Sequence, residues 1–142
     1  MILWIEAALA LAIHDRQLAE HGGSSGVRDQ GLLESALARP QQLLAYASPP
    51  ADLADLAASL AHGLARNHPF VDGNKRTAHV CYRVFLALND VSFHASEEEK
   101  YVQMLALSEG SLSEADFAAW LRTRIQGPAL PAAHEAAAGY AG

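Results

Sequence analysis

The sequence has little of what several classes of protein need. It holds one cysteine, Cys81, which excludes an internal disulfide and a thiolate metal site and is compatible with a reducing cytoplasm. Lys and Arg number 10 against 16 Asp and Glu, and the net charge of -6 argues against direct binding of nucleic acid. The apolar start lacks a basic segment, and Glu6 and His14 interrupt it, so it predicts a core helix rather than a membrane anchor. We therefore expect a cytoplasmic protein that uses no membrane.

What the chain does contain is enough apolar material for one domain. Of its 142 residues, 51% are hydrophobic, and a chain of this size can fold around a core without staples. The end of the chain differs from the rest because it is rich in Ala, Pro and Gly. We expect a domain over residues 1–127 and a weakly docked tail over residues 128–142.

Apolar residues recur at three- and four-residue steps, which predicts an all-α fold of about six helices. The predicted helices run from Leu3 to about Glu20, from the cap Asp29 to Arg39-Pro40, from Asp52 to Asn67, from Asn74 to about Leu88, from the cap Ser96 to Gly110, and from Ser113 through Ile125 to Gly127-Pro128. Residues 41–50 fit a loop, a short hairpin or a final helical turn, so one small hairpin flap is compatible with the pattern.

The segment with the most chemistry runs from His68 to Thr77 and reads HPFVDGNKRT. Gly73 permits a tight turn, and the free N–H groups at the start of the following helix form an anion site. Lys75 and Arg76 add positive charge where phosphate oxygens would lie. We predict that Gly73, Asn74, Lys75 and Arg76 bind the phosphates of a nucleotide.

Two further residues of this segment have the chemistry of catalysis. Asp72 offers the hard oxygen ligand that Mg²⁺ takes together with substrate phosphates. His68 has a side chain that accepts a proton near neutral pH, so it is the candidate general base. Each residue alone would also suit a solvated loop before a helix, but such a loop gives no reason for all of them to converge.

The segment resembles the signature of the Fic/Doc superfamily, and specifically its death-on-curing branch, in which lysine follows the asparagine. A second stretch resembles the N-terminal region of the same branch. It consists of Ile13-His14-Asp15, Gly22-Gly23, Gly26-Val27-Arg28-Asp29, Leu32-Leu33-Glu34-Ser35-Ala36 and Arg39-Pro40. The likeness covers roughly Ile5 to Ile125 and implies the helical Fic fold.

The resemblance implies an activity as well as a fold. It implies that His68 deprotonates a target hydroxyl, that Asp72 binds Mg²⁺ and that Gly73 and Asn74 cradle the phosphates of ATP. Lys75 and His79 stand where the AMP-transferring branch has glycine and arginine, which favours a kinase that places the γ-phosphate on a threonine of elongation factor Tu. An AMP transferase and a catalytically silent binding module of the same fold are the alternatives.

The resemblance also implies a partner. Leu105 replaces the Ser or Thr of the inhibitory motif that would end at Glu109-Gly110, so we expect inhibition by a separate, Phd-like antitoxin of a type II toxin-antitoxin pair. Outside the motif, we expect mainly structural roles for His14 and Arg28. Arg83 lies on the same helix face as Arg76, and either a phosphate or a nearby acid would suit it.

Overall fold

The structure is a computed structural model that describes residues 1–127, so the predicted tail lies outside the described residues. Its elements are α1 (Ala7–His21), α2 (Gln30–Tyr46), α3 (Leu53–Asn67), α4 (Asn74–Leu88), β1 (Ser92–Phe93), α5 (Glu97–Glu109), α6 (Glu114–Arg122) and β2 (Ile125–Gln126). The predicted all-α bundle of the Fic type is confirmed. None of the helices within residues 1–127 is both long and apolar enough to span a membrane.

Helix α3 forms the centre of the bundle and packs against α2, α4, α5 and α6. Its leucines and its alanines are all buried, because neighbouring helices surround it on several sides. Asp52 caps its first turn through the main-chain N–H of Asp55, and the Asp55 carboxylate accepts from the main-chain N–H of Asp52. This reciprocal cap fixes where α3 begins. Residues 68–73 follow directly at its other end and lead into α4.

The first six residues are not helical, so the predicted start of the first helix is wrong. Helix α1 begins at Ala7. Before it, the Asn89 carboxamide accepts a hydrogen bond from the Leu3 N–H and donates one to the Leu3 carbonyl. Ile2 and Ile5 are nevertheless buried. The apolar side chains therefore reach the core from a non-helical segment that is hydrogen bonded to Asn89.

Helix α2 does not end at Arg39-Pro40, contrary to the prediction. It continues through Pro40 to Tyr46, so residues 41–46 are further helical turns and not a hairpin. A proline inside a helix removes one main-chain hydrogen bond. Here Pro40 is buried, and Arg39 is tied to the Ser59 carbonyl of α3 and to Glu114 of α6. Packing and these long-range contacts offset the local cost.

The last predicted helix is shorter than expected, and Ile125 belongs to a strand. Helix α6 ends at Arg122. After it, the N–H groups of Thr123 and Arg124 donate hydrogen bonds to the carbonyls of Trp120 and Leu121, each three residues earlier. The antiparallel pair joins Ser92 to Gln126 and Phe93 to Ile125. This pair is the small β element of the fold, and it lies elsewhere than residues 41–50.

Helices α2 and α3 approach each other closely at Gly63. A Cβ atom there would lie 3.2 Å from the Ala36 Cα, which is main chain and has little room to move. We predict that Gly63→Leu lowers the free energy of unfolding by at least about 2 kcal/mol, because the side chain would force the two helices apart.

Chemical denaturation measures this effect. The matched control is Ala12→Leu, which adds a leucine on the exposed side of α1 and should change stability by less than about 0.5 kcal/mol. Equal unfolding free energies for the wild type and Gly63→Leu would contradict the packing described here.

Candidate active site

Residues 68–73 form a tight turn between α3 and α4. The candidate base His68 is at its start, and Asp72 and Gly73 are at its end. Helix α3 ends at Asn67, and His68 follows with φ 51 and ψ 56, in the left-handed region. Gly73 immediately precedes α4 with φ 76, also left-handed. A left-handed glycine is unstrained, whereas the same conformation costs a non-glycine residue about 1–3 kcal/mol. Strain at His68 therefore requires contacts that hold it.

The Asn74 carboxamide closes this turn from inside. It accepts a hydrogen bond from the Phe70 N–H at 2.8 Å and donates one to the Phe70 carbonyl at 2.9 Å. Asn74 and Phe70 are both buried. Phe70 stacks on the His14 ring of α1, with 3.9 Å between ring centroids and 7° between planes. Phe70 is thus the apolar anchor of the loop.

The start of α4 is open to a ligand. Among residues 1–127 no side chain caps this helix, because its N-cap residue is Gly73. The first N–H groups of a helix have no partner within the helix, and its dipole favours negative charge there. An open cavity of about 390 Å³ lies over this end, lined by His68, Val71, Asp72, Gly73, Asn74, Lys75 and Arg76. The structure brings together every site residue that the sequence predicts.

Asp72 is oriented by main-chain donors on both of its oxygens. Oδ2 accepts from the Ser24 N–H at 3.2 Å and Oδ1 from the Gly73 N–H at 2.9 Å. These hydrogen bonds, with the Ser24 bond contributing most, lower the pKa of the carboxyl group below 3.8, and the charge of Arg76 adds to the effect. The exposed carboxylate is therefore ionised at neutral pH and keeps unused lone pairs for a cation.

These properties fit a Mg²⁺ site that is completed by phosphate. Mg²⁺ in nucleotide sites commonly takes one or two protein carboxylates and fills its remaining positions with phosphate oxygens and water. Within residues 1–127, no group of three or more His, Cys, Asp or Glu side chains converges as a protein cage for a metal. Asp72 therefore has the donor chemistry of a shared site rather than of an all-protein one.

The connection between α1 and α2 forms the wall behind Asp72, which sequence reasoning missed. Gly23 approaches so closely that a Cβ atom there would lie 2.8 Å from Asp72 Oδ2. Val27 pairs with Phe70 in an isolated β-bridge, and the Val71 N–H donates to the Gly26 carbonyl. The glycine-rich composition of residues 22–26 was the available signal for this wall, but such a composition is also typical of an ordinary turn.

His14 and Arg28 both bind the main chain of the turn, which agrees with the structural roles expected for them. His14 is buried, and its Nε2 lies 2.8 Å from the Asp72 carbonyl oxygen. Arg28 donates to the carbonyls of His68 and Asn67 at 2.7 and 3.0 Å. Both side chains therefore reach the site from the second stretch that resembles the family.

A second cavity of about 400 Å³ adjoins the first, because Lys75 and Arg76 line both. Its other walls come from α1, α4 and α5, and they are formed by Gln17, His21, His79, Val80, Arg83, Glu97, Tyr101 and Met104. Burial, with the charges of Arg83 and Lys100, lowers the pKa of His79 to about 4. Arg83 hydrogen bonds to the His79 carbonyl at 3.0 Å. His79 is therefore a neutral side chain at physiological pH.

Comparison with known proteins identifies the family of the chain. The sequence model of the Fic/DOC family matches residues 4–86, and the chain belongs to this family. It is 49% identical to Toxin Doc of Mycolicibacterium smegmatis (strain ATCC 700084 / mc(2)155) over 74 residues, which are 52% of this chain and 57% of that protein. It is 36% identical to Protein kinase doc of Escherichia phage P1 over 88 residues, 62% of this chain and 69% of that protein.

The match to the mycobacterial toxin thus spans little more than half of that protein. The predicted resemblance to the death-on-curing branch of the family is confirmed by both relatives. Residues 68–77 of the motif lie inside the region that the family matches.

The contact between Gly23 and Asp72 generates a prediction about the carboxyl group. Gly23→Ala should move the Ser24 N–H away from Asp72 and so raise the pKa of the carboxyl group back toward 3.8. In the wild type the lowered pKa contributes stability that is present above the unfolded-state value and lost as pH falls through the folded-state value. The variant should lose part of that contribution. Carbon-13 NMR titration of the Asp72 carboxyl measures the pKa directly.

The control is Gly22→Ala, which also lies at positive φ but has no atom within 4 Å of the added Cβ among the described residues. It should leave the pKa of Asp72 unchanged. An Asp72 titration that is the same in Gly23→Ala and in the wild type would show that the Ser24 contact does not set this pKa.

Proposed function

We propose that this protein is a Doc-type toxin that transfers the γ-phosphate of ATP to a hydroxyl group of a target protein. The observation that carries the proposal is the cavity over the start of α4, which gathers one imidazole, one ionised carboxylate, the N–H groups of the helix and two cations. Phosphoryl transfer needs mainly positioning and neutralisation of charge. A compact turn of this kind is sufficient for both.

Each residue has a distinct task in the proposed reaction. The N–H groups after Gly73, with Lys75 and Arg76, bind the phosphate oxygens. His68 is exposed at the edge of the cavity and takes the proton from the acceptor hydroxyl. The hydroxyl oxygen then forms a bond to the γ-phosphorus, the bond from that phosphorus to the bridging oxygen breaks, and ADP leaves.

Asp72 is the residue that would hold Mg²⁺. When bound, the ion neutralises charge on the phosphate oxygens. Ser24 and Gly73 keep the carboxylate in one orientation through their N–H groups, and His14 keeps the carbonyl of the same residue in place. The Asp72 carboxylate is therefore already oriented in the free protein.

The proposal of phosphate transfer, rather than AMP transfer, is supported by Lys75 and His79. Lys75 is exposed and lines both cavities, so its charge lies where one end of a bound nucleotide would extend. The neutral His79 stands where the AMP-transferring branch has an arginine. The name Protein kinase doc belongs to the phage relative and agrees with this choice.

The proposed target is a threonine of elongation factor Tu, so that the modification stops translation in the cytoplasm. The proposed partner is a Phd-like antitoxin that inhibits the protein by binding to it. Similarity to a protein named Toxin Doc supports the toxin part of this proposal.

Label transfer tests the reaction. We expect the purified protein to transfer label from γ-labelled ATP, but not from α-labelled ATP, to a protein in cell extract when Mg²⁺ is present. His68→Ala and Asp72→Ala should each lower the rate by at least about 100-fold, since they remove the base and the carboxylate.

His94→Ala is the matched control, because His94 is exposed and follows β1 on a different part of the molecule. Its rate should equal that of the wild type. Transfer of α-label alone would establish AMP transfer instead. Binding of ATP with no transfer of either label would indicate a silent binding module, and undiminished transfer by His68→Ala would overturn the assignment of the base.

A further inference from the structure

The backbone of His68 adopts a conformation that its local sequence opposes. Its φ of 51 and ψ of 56 are left-handed, a region that non-glycine residues rarely enter. The next residue is Pro69, and a residue before proline is driven toward extended backbone. Both local preferences would therefore turn the candidate base away from its observed position.

Arg28 makes three hydrogen bonds to the main chain around His68. Its Nε donates to the His68 carbonyl at 2.7 Å, and its Nη2 donates to the Asn67 carbonyl at 3.0 Å. Its own main-chain N–H donates to the Pro69 carbonyl at 2.7 Å. One residue thus binds three successive carbonyls, with His68 at their centre.

The position of Arg28 is itself fixed. The following residue, Asp29, caps α2 by accepting from the Leu32 N–H, and its own N–H donates to the Pro69 carbonyl. The Asn67 carboxamide donates to the Leu32 carbonyl at 3.3 Å and so joins the end of α3 to the same helix. The main chain next to Arg28 is therefore held in place, and its guanidinium group reaches the two carbonyls from a fixed position.

We propose that Arg28 is a positioning residue that holds His68 in the left-handed conformation and thereby keeps the imidazole at the phosphate cavity. The inference rests on the proposed function, in which His68 is the base. Other hydrogen-bond contacts support the phosphate-binding part of the turn. They join Asn74 to Phe70, His14 to the Asp72 carbonyl and Ser24 to the Asp72 carboxylate. Loss of Arg28 should therefore reduce turnover and leave nucleotide binding intact.

The test compares Arg28→Gln and Arg28→Lys with Arg16→Gln. Arg16 is an exposed arginine of α1 that is bonded to Glu20 and lies outside both cavities, so its variant controls for the loss of a surface charge. We expect Arg28→Gln to lower kcat by about 10- to 100-fold, since a displacement of about 1 Å can cost a factor of this size. The KM for ATP should change less than about twofold, because uniform binding is retained.

Arg28→Lys keeps one charged donor but not the planar fork, so its kcat should lie between those of the wild type and Arg28→Gln. It also serves as the second variant if Arg28→Gln does not fold. An unchanged kcat in both variants would overturn the proposal. A raised KM with unchanged kcat would do so as well, since Arg28 would then be a nucleotide ligand.

A readout that needs no catalysis separates this inference from the proposed function. In the free protein, the ¹³Cα chemical shift of His68 should move toward values of extended backbone in Arg28→Gln and stay unchanged in Arg16→Gln. If the wild type transfers no phosphate and the shift still moves, the proposed function fails while the positioning of His68 by Arg28 stands. An unmoved shift in a folded Arg28→Gln variant would refute the positioning.

Discussion

The buried carboxamide of Asn74 is the contact on which the rest of the site depends. By binding both main-chain groups of Phe70, it closes the turn and fixes the path of the chain into α4. A buried donor or acceptor without its partner costs about 1–3 kcal/mol, so the closed turn is strongly favoured over an open one. Because the turn is closed, Gly73 lies at the N-terminus of α4 and Asp72 lies next to it.

The connection between α1 and α2 holds the same turn from outside. Main-chain and side-chain groups of residues 23–29 contact the turn at Asp72, Val71, Pro69 and His68. His14 supports it from α1. The site is therefore built from two distant segments of the sequence, which explains why the likeness to the Fic/DOC family includes both. The overall charge of -6 conceals this site, because Lys75 and Arg76 are concentrated at one helix end.

Features with local causes could be predicted from the sequence, and features with long-range causes could not. Helices α3 and α4 and the caps Asp29, Ser96 and Ser113 depend on neighbouring residues, and the structure has them as predicted. The non-helical start depends on Asn89, the helical Pro40 on packing against α3, and the strand at Ile125 on pairing with Phe93. No local pattern encodes those partners.

The same division applies to the candidate site. The residues around the cavity lie within one stretch of ten, so the type and spacing of their side chains were enough to predict them. The contacts of Ser24 with Asp72 and of Arg28 with His68 span 48 and 40 residues. Spacing cannot indicate such contacts, and they become visible only when the helices are assembled.

A crystal structure of the protein with Mg²⁺ and a non-hydrolysable ATP analogue would show which phosphate group the turn places beside His68. We expect the γ-phosphate to lie beside the His68 imidazole and to accept hydrogen bonds from the N–H groups that follow Gly73. An α-phosphate beside His68, or a nucleotide bound away from this turn, would contradict this expectation.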